Sequence, residues 1–158
     1  MTILAHANKP HWKRICLLLS FALLFVIFCV VFFGEHREVL QSQGYCEGIG
    51  KYSTDAGNTK ERIDFLEQFG IKALKNSEER QKVTIPSEFN RVYENYNKLQ
   101  DKVGLNLALY KGKTVDKVVY ETKNNLYATL LIYRGHVIGG HISTGLYGDK
   151  YKALNKGK

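Results

Sequence analysis

The sequence has few cysteines, and it lacks the pairs from which a disulfide framework is built. Only three occur in 158 residues. Cys16 and Cys29 lie within one long apolar run, and Cys46 stands alone beyond it. A single cysteine outside that run cannot form an intramolecular disulfide, so a small disulfide-stapled fold is excluded. We expect Cys46 to be a free thiol in a linker, with pairing between two chains as the alternative.

Signatures of catalysis and of metal binding are also lacking. Gly112–Thr114 resembles the end of a phosphate-binding loop, but Leu107 stands where that motif requires a glycine. His136 and His141 are five residues apart on a predicted strand, which places them on opposite faces, and no third zinc ligand accompanies them. Ser143 does not lie in the Gly-x-Ser-x-Gly motif of hydrolases. We therefore predict a protein that is not an enzyme and has no metal or cofactor.

Acidic residues are in the minority, with 15 against 23 basic residues and a formal net charge of +8. Lys9, Lys13 and Arg14 precede the apolar run, and no acidic residue accompanies them there. Lysines are also frequent after residue 149. This balance favours an anionic partner, although a solvated basic surface is the simpler interpretation.

The long apolar run, residues 15–34, contains no charged side chain. A helix of about 20 residues is about 30 Å long, the thickness of the hydrocarbon core of a bilayer. The run ends in large aromatic residues, whereas a cleavable signal peptide ends in small ones. Because the basic residues precede the run, the positive-inside rule places the N-terminus in the cytoplasm. We predict a single-pass anchor in the cytoplasmic membrane, with the C-terminal domain outside.

The rest of the chain divides by composition. Residues 1–14 are a cytoplasmic leader, and residues 35–57, rich in Gly, Gln, Ser and charge, are predicted to be a stalk. Residues 58–144 carry the alternation of helix and strand patterns that is typical of one folded domain. Residues 145–158 are rich in Gly and Lys, and we expect them to be a frayed basic tail.

Two helices are predicted in the domain. Asn58 with Glu61 three residues later resembles a capping box, and it predicts a helix from Thr59 to Phe69. Ser87 is a suitable N-cap for a second helix. Apolar residues then recur from Phe89 to Val103 at three- and four-residue spacings, which is the period of an amphipathic helix.

Strand patterns dominate the second half of the domain. Lys82–Ile85 is predicted as a short extended segment. Three strands follow at 114–122, 126–133 and 136–143, each joined to the next by a tight turn. The sequence thus predicts an α+β fold in which two helices pack on an antiparallel three-stranded meander.

A tyrosine- and cation-rich surface is the candidate binding face. A sugar polymer or a peptide is the ligand that such a surface suggests, and core packing of the tyrosine rings is the alternative. The predicted residues are Tyr110, Lys111, Lys113, Tyr127, Tyr133 and Arg134. We predict a non-catalytic interaction domain that binds an unknown protein. Electrostatic binding to an anionic wall polymer or to lipid headgroups is the alternative, an unrecognised enzyme ranks below both, and no nucleic acid is expected.

Four pieces of the chain together resemble a known family. They are residues 62–70, residues 83–100, Leu107 with residues 110–113, and residues 128–140. Over residues 61–143 the chain is similar to a family of small bacterial membrane-anchored proteins, the domain of unknown function family 4830. This chain has Ile71 where the family tends to have Trp, and His141 where it tends to have Asp. The resemblance implies one anchor and one exported domain, and it implies no activity.

Overall fold

The computed structural model describes residues 18–26, 28, 40–146 and 148–156. The chain divides into two units, residues 1–39 and residues 40–158, and each is described by itself. In the first unit, residues 18–26 and 28 are helical, and we name this helix α1. Its large apolar side chains are exposed.

The helices that the structure describes contradict the prediction of a membrane anchor at residues 15–34. None of the helices that the structure describes is long and apolar enough to cross a membrane. The predicted location, a single-pass protein of the cytoplasmic membrane with an external C-terminal domain, is contradicted with it. Residues 1–17, 27 and 29–34 lie outside the described residues.

The second unit is built on a four-stranded antiparallel sheet. The strands are β3 (Glu79–Thr84), β4 (Thr114–Glu121), β5 (Tyr127–Tyr133) and β6 (His136–Ser143), and they lie side by side in this order. The α+β class is as predicted, but the three-stranded meander is wrong, because β3 pairs with β4 along its whole length. The side chains of β3 are mostly exposed, so the strand has no apolar alternation that could have predicted it.

A polar network holds the start of β3 in place. Glu78, just before the strand, accepts hydrogen bonds from Arg62 at 2.8 Å, from Tyr120 at 2.6 Å and from Thr59 at 2.9 Å. Burial alone would raise the pKa of Glu78, but these hydrogen bonds outweigh it and lower the pKa below its usual range. An edge strand with little apolar surface is thus fixed by its ladder and by one ion pair between the buried Arg62 and the half-buried Glu78.

One face of the sheet is covered by a helix and a hairpin. Helix α2 (Thr59–Gln68) is capped by the Asn58 side chain, which accepts from the Glu61 N–H at 2.9 Å. The hairpin consists of β1 (Gln43–Cys46) and β2 (Gly50–Ser53). The aromatic rings that join helix and hairpin, Tyr52, Phe65 and Phe69, lie within 5.9 Å of one another by their centroids.

This hairpin lies in the segment predicted as a stalk. Cys46 is a free thiol, as expected, but its side chain is 1% exposed and belongs to the core, so the expectation that it lies in a linker is wrong. Tyr52 packs directly over Gly44, its partner across the two strands, and a Cβ on Gly44 would lie 2.1 Å from the ring. In the described part of this segment, residues 40–57, the buried apolar side chains are those of Cys46, Tyr52 and Ala56.

The other face of the sheet is covered by α3 (Arg91–Asp101) and by a 3-10 turn, Leu107–Tyr110. A second core cluster joins that turn to the sheet through Leu107, Val115, Leu131 and Ile138, among others. Helix α3 packs against β6. Gln100 fixes this contact, because its buried side chain accepts from the Gly140 N–H at 2.8 Å.

The chain end does not fray in the described residues. Lys152 exchanges two backbone hydrogen bonds of 2.9 Å with Ile142, on the outer edge of β6. Ala153 and Leu154 are then buried in the same core as Cys46. Part of the predicted basic tail is therefore part of the folded unit.

Candidate binding groove

A groove with a volume of about 810 Å³ crosses the sheet face that α3 covers only in part. Its floor consists of side chains from all four strands, among them Val83, Lys117, Leu131 and His141. They share one face because residues of an antiparallel sheet alternate and their cross-strand partners point the same way. Lys117 is the partner of Leu131, for example, and Val83 is the partner of Val115.

The two walls of the groove come from different parts of the chain. One wall is α3, which contributes Val92, Tyr96 and Leu99 at helical spacing. Helix α3 contacts β6, at the sheet edge opposite β3. The groove therefore extends over the rest of this face to β3. The other wall is the segment Asp149–Tyr151 near the chain end.

Three aromatic side chains meet where the walls approach each other. A hydrogen bond of 2.8 Å joins the Tyr96 hydroxyl to Nδ1 of His141. Tyr151 stacks on the His141 ring with a centroid distance of 3.9 Å and an interplanar angle of 29°. Tyr96 also meets Tyr151 edge-on, with centroids 5.8 Å apart. Such contacts give the groove a rigid aromatic end.

The titratable groups at this aromatic end are uncharged at neutral pH. Burial and, to a smaller extent, the nearby Lys117 charge together lower the pKa of His141 to about 4. Burial also raises the pKa of the Tyr96 hydroxyl above its usual value. A neutral imidazole and a neutral phenol can hydrogen-bond to a ligand, but neither adds a charge to the groove.

The groove has a net positive charge, from Lys117 on its floor and from Lys150 and Asp149 on its rim. Asp149 is engaged by Thr144, whose hydroxyl donates at 2.7 Å and whose N–H donates at 3.1 Å, and these bonds lower the Asp149 pKa. Lys117 and Lys150 form no ion pair within the part of the chain that the structure describes. The groove thus combines apolar and aromatic walls with two available cations.

The structure brings some residues of the predicted binding face together and separates others. Tyr110 is 7% exposed, and its ring centroid lies 5.6 Å from that of Tyr133, over which Arg134 lies at 5.2 Å. Lys111 instead lies over the Phe89 ring at 4.7 Å.

The remaining two predicted residues lie at different ends of the sheet. Tyr127 begins β5 and Tyr133 ends it, which separates them by about 20 Å. Lys113 lies in the turn before β4, where its N–H bonds to the Tyr110 carbonyl. The six residues therefore do not form one continuous surface.

Sequence reasoning missed the groove because its residues are far apart in the chain. Tyr96 and His141, which share a hydrogen bond, are separated by 45 positions. His141 was considered only as a metal ligand, and Tyr151 fell in the predicted tail. Within the described ranges, no group of three or more His, Cys, Asp or Glu side chains could hold a metal ion. The available signal was the pair Tyr93 and Tyr96 on the apolar stripe of the second helix.

Comparison with known proteins supports the family resemblance. A family described as a domain of unknown function (DUF4830) matches residues 65–142, which include α3, β3 to β6 and most of the groove floor. The match does not include the apolar run, so it does not show the membrane anchoring that the resemblance implied. Neither curated proteins nor solved structures give a significant match. The resemblance of this chain to the domain of unknown function DUF4830 is thus confirmed over residues 65–142.

Proposed function

We propose that residues 40–158 form a non-catalytic binding module whose ligand occupies the groove beside α3. One observation carries the proposal: a groove of about 810 Å³ leaves large apolar side chains in solvent. Val92 is 73% exposed and Tyr151 is 55% exposed. Both line the groove, and a ligand there would remove their apolar surface from water.

The composition of the groove supports a ligand that is partly apolar and carries a negative charge. Aromatic and aliphatic side chains of the walls would contact its apolar part. Lys117 on the floor and Lys150 on the rim would attract a carboxylate. The neutral Tyr96 and His141 at the closed end are suited to hydrogen bonding rather than to proton transfer near pH 7.

The test is a titration of the methyl-labelled full-length chain with a set of aryl carboxylates, followed by NMR. We expect saturable shifts for the methyl groups of Val83, Leu99 and Leu131, which line the groove. A Val92→Glu variant places a carboxylate in the wall and should weaken binding at least tenfold, about 1.4 kcal/mol. Site-resolved signals separate this binding from any contact with the apolar run at residues 15–34.

The matched control is Leu109→Glu. Leu109 is an apolar residue that is 68% exposed and does not line the groove, so this variant changes the net charge equally. It should bind the aryl carboxylates as the unaltered chain does. Equal weakening by both variants would indicate binding driven by overall charge, and shifts confined to methyl groups outside the groove would overturn the proposal.

A further inference from the structure

The two edges of the four-stranded sheet differ in how many of their backbone groups have hydrogen-bond partners. The β6 edge is occupied: Lys152 bonds to Ile142, the Gln100 side chain takes the Gly140 N–H, and the Val137 N–H donates to Thr54. The β3 edge pairs only with β4 among the described strands. One side of the sheet therefore offers a strand edge that none of the described strands occupies.

The register determines which backbone groups β3 leaves open. Ile85 bonds to the β4 side, because its N–H donates to Lys113 and its carbonyl accepts from Gly112, both at 2.9 Å. Backbone direction alternates along an antiparallel strand, so the N–H and C=O groups of Arg80, Lys82 and Thr84 point away from β4. An added strand could pair with these groups.

The same strand forms the border of the groove. The side chains of Gln81 and Val83 line the groove, whereas those of Arg80 and Lys82, at alternate positions, lie on the opposite face. A strand added beside β3 would therefore present every second side chain to the groove. Its other side chains would lie next to Arg80 and Lys82.

The charges on β3 disfavour a second copy of this chain as the added strand. Antiparallel pairing of two β3 strands around Gln81 would set Arg80 against Lys82 twice, and directly opposed like charges are destabilising. Within the described residues, neither basic side chain forms an ion pair, although Asp116 is the cross-strand neighbour of Lys82. An acidic strand would be attracted where a second copy is repelled.

We propose that the ligand of the groove is an extended peptide segment with alternating apolar and acidic residues, which pairs with β3 as a fifth strand. Its backbone would bond to Arg80, Lys82 and Thr84, its apolar side chains would enter the groove, and its carboxylates would face Arg80 and Lys82. This inference rests on the proposed function, and it adds the class of ligand and its manner of binding. The recognition is β-augmentation, in which the backbone supplies affinity and the alternate pockets supply specificity.

The test uses a blocked peptide of about eight residues in which valine and glutamate alternate, the length of a typical strand. Binding to the full-length chain is measured by calorimetry, and its position by the groove methyl signals. N-methylation of the alternate amides that face β3 should weaken binding more than tenfold, because it removes the ladder donors. Two peptides, each methylated on one of the two alternate sets, provide the comparison, and only one of them should lose affinity.

Charge complementarity is tested with Lys82→Glu. This variant should lower the affinity for the acidic peptide about threefold to tenfold. It should raise the affinity for the peptide in which lysine replaces glutamate. The control is Lys51→Glu, an exposed position on β2 that does not line the groove. Neither the peptide affinity nor the groove signals should change in that variant.

The outcomes separate this inference from the proposed function. If both methylated peptides bind equally well and still shift the groove methyl groups, the groove binds ligands but β3 does not add a strand. If Lys82→Glu and Lys51→Glu have the same effect, recognition of the acidic side chains is wrong. If neither the peptides nor the aryl carboxylates shift the groove signals, both proposals fail.

Discussion

His141 is the residue whose environment departs most from its expected one. In the fold it is a buried, uncharged ring between Tyr96 and Tyr151. Gly139 and Gly140 precede it, and β6 changes register by one residue opposite Leu131 and Ile132. The residue without a partner at this shift is Ile138, next to the glycine pair. The glycine at position 140 allows a close backbone approach, since a Cβ there would lie 2.7 Å from the Thr129 carbonyl oxygen.

The buried imidazole of His141 makes the free energy of unfolding depend on pH, at pH values above those at which carboxylates titrate. The pKa of His141 is about 4 in the fold and about 6.5 when unfolded, so the unfolded chain binds the extra proton first. The free energy of unfolding should therefore fall as the pH falls below about 6.5, by about 2 kcal/mol at pH 5. Urea denaturation at pH 7, 6 and 5 measures this.

The control for the pH effect is His141→Gln, which keeps a hydrogen-bonding side chain and removes the titration. Its free energy of unfolding should change little between pH 7 and pH 5. Carboxylates such as Glu78, whose pKa is lowered, contribute only at lower pH. A variant that keeps the full slope would show that another group is responsible.

At the scale of elements, both local sequence and tertiary packing determine the residue at which α3 begins. Ser87 is the predicted N-cap, but the helix begins at Arg91, and its N-cap is Asn90, whose backbone is extended. The Asn90 side chain accepts from the N–H groups of Val92 and Tyr93, both at 3.0 Å. Phe89, which precedes it, packs with the second core cluster and sets the point of entry.

The cap can be tested by comparing two alanine variants. Asn90→Ala removes the acceptor for two N–H groups and should lower the free energy of unfolding by about 1 kcal/mol. Ser87→Ala should be within about 0.5 kcal/mol of the unaltered chain, because residue 87 is exposed and lies outside the helix. Thermal unfolding of both variants decides, and the reverse order would restore the cap predicted from the sequence.

The elements that sequence reasoning found are those rich in buried residues. Strands β4, β5 and β6 were predicted to within about one residue: β4 buries Val118 and Tyr120 on one face, and β5 and β6 are buried on both faces along most of their length. Helix α2 was predicted from its cap and its apolar spacing. In contrast, β3 and the β1–β2 hairpin are stabilised by ladders, by Tyr52 and by Glu78, which are contacts between distant parts of the chain.

The candidate site was less predictable than the fold for the same reason. A groove is a space between elements, and its shape depends on how far α3 leans toward β6. The Gly139–Gly140 pair permits that approach, and Gln100 closes it with a side-chain hydrogen bond. None of these contacts between distant residues produces a periodic pattern or a motif in the sequence.

At the scale of the whole molecule, the chain end contributes to both stability and the groove. Tyr151 supplies part of one wall, Lys152 extends the β6 edge, and Leu154 is fully buried near Gly140. Truncation of the basic chain end would therefore change the fold as well as the net charge of +8. A deletion of residues 150–158 would remove Leu154 together with the lysines, so charge must be tested by substitution.

The contribution of the chain end to stability can be measured with Leu154→Ala. Leu154 has no exposed surface, and its side chain belongs to the core that includes Cys46 and Ile142. Truncation should lower the free energy of unfolding by about 3 kcal/mol and the Tm by on the order of 10 °C. Lys152→Ala is the control, because its side chain is exposed and its backbone bonds survive the change. Equal stability of the two variants would mean that the chain end is not docked in solution, and that the groove lacks the wall that Tyr151 provides.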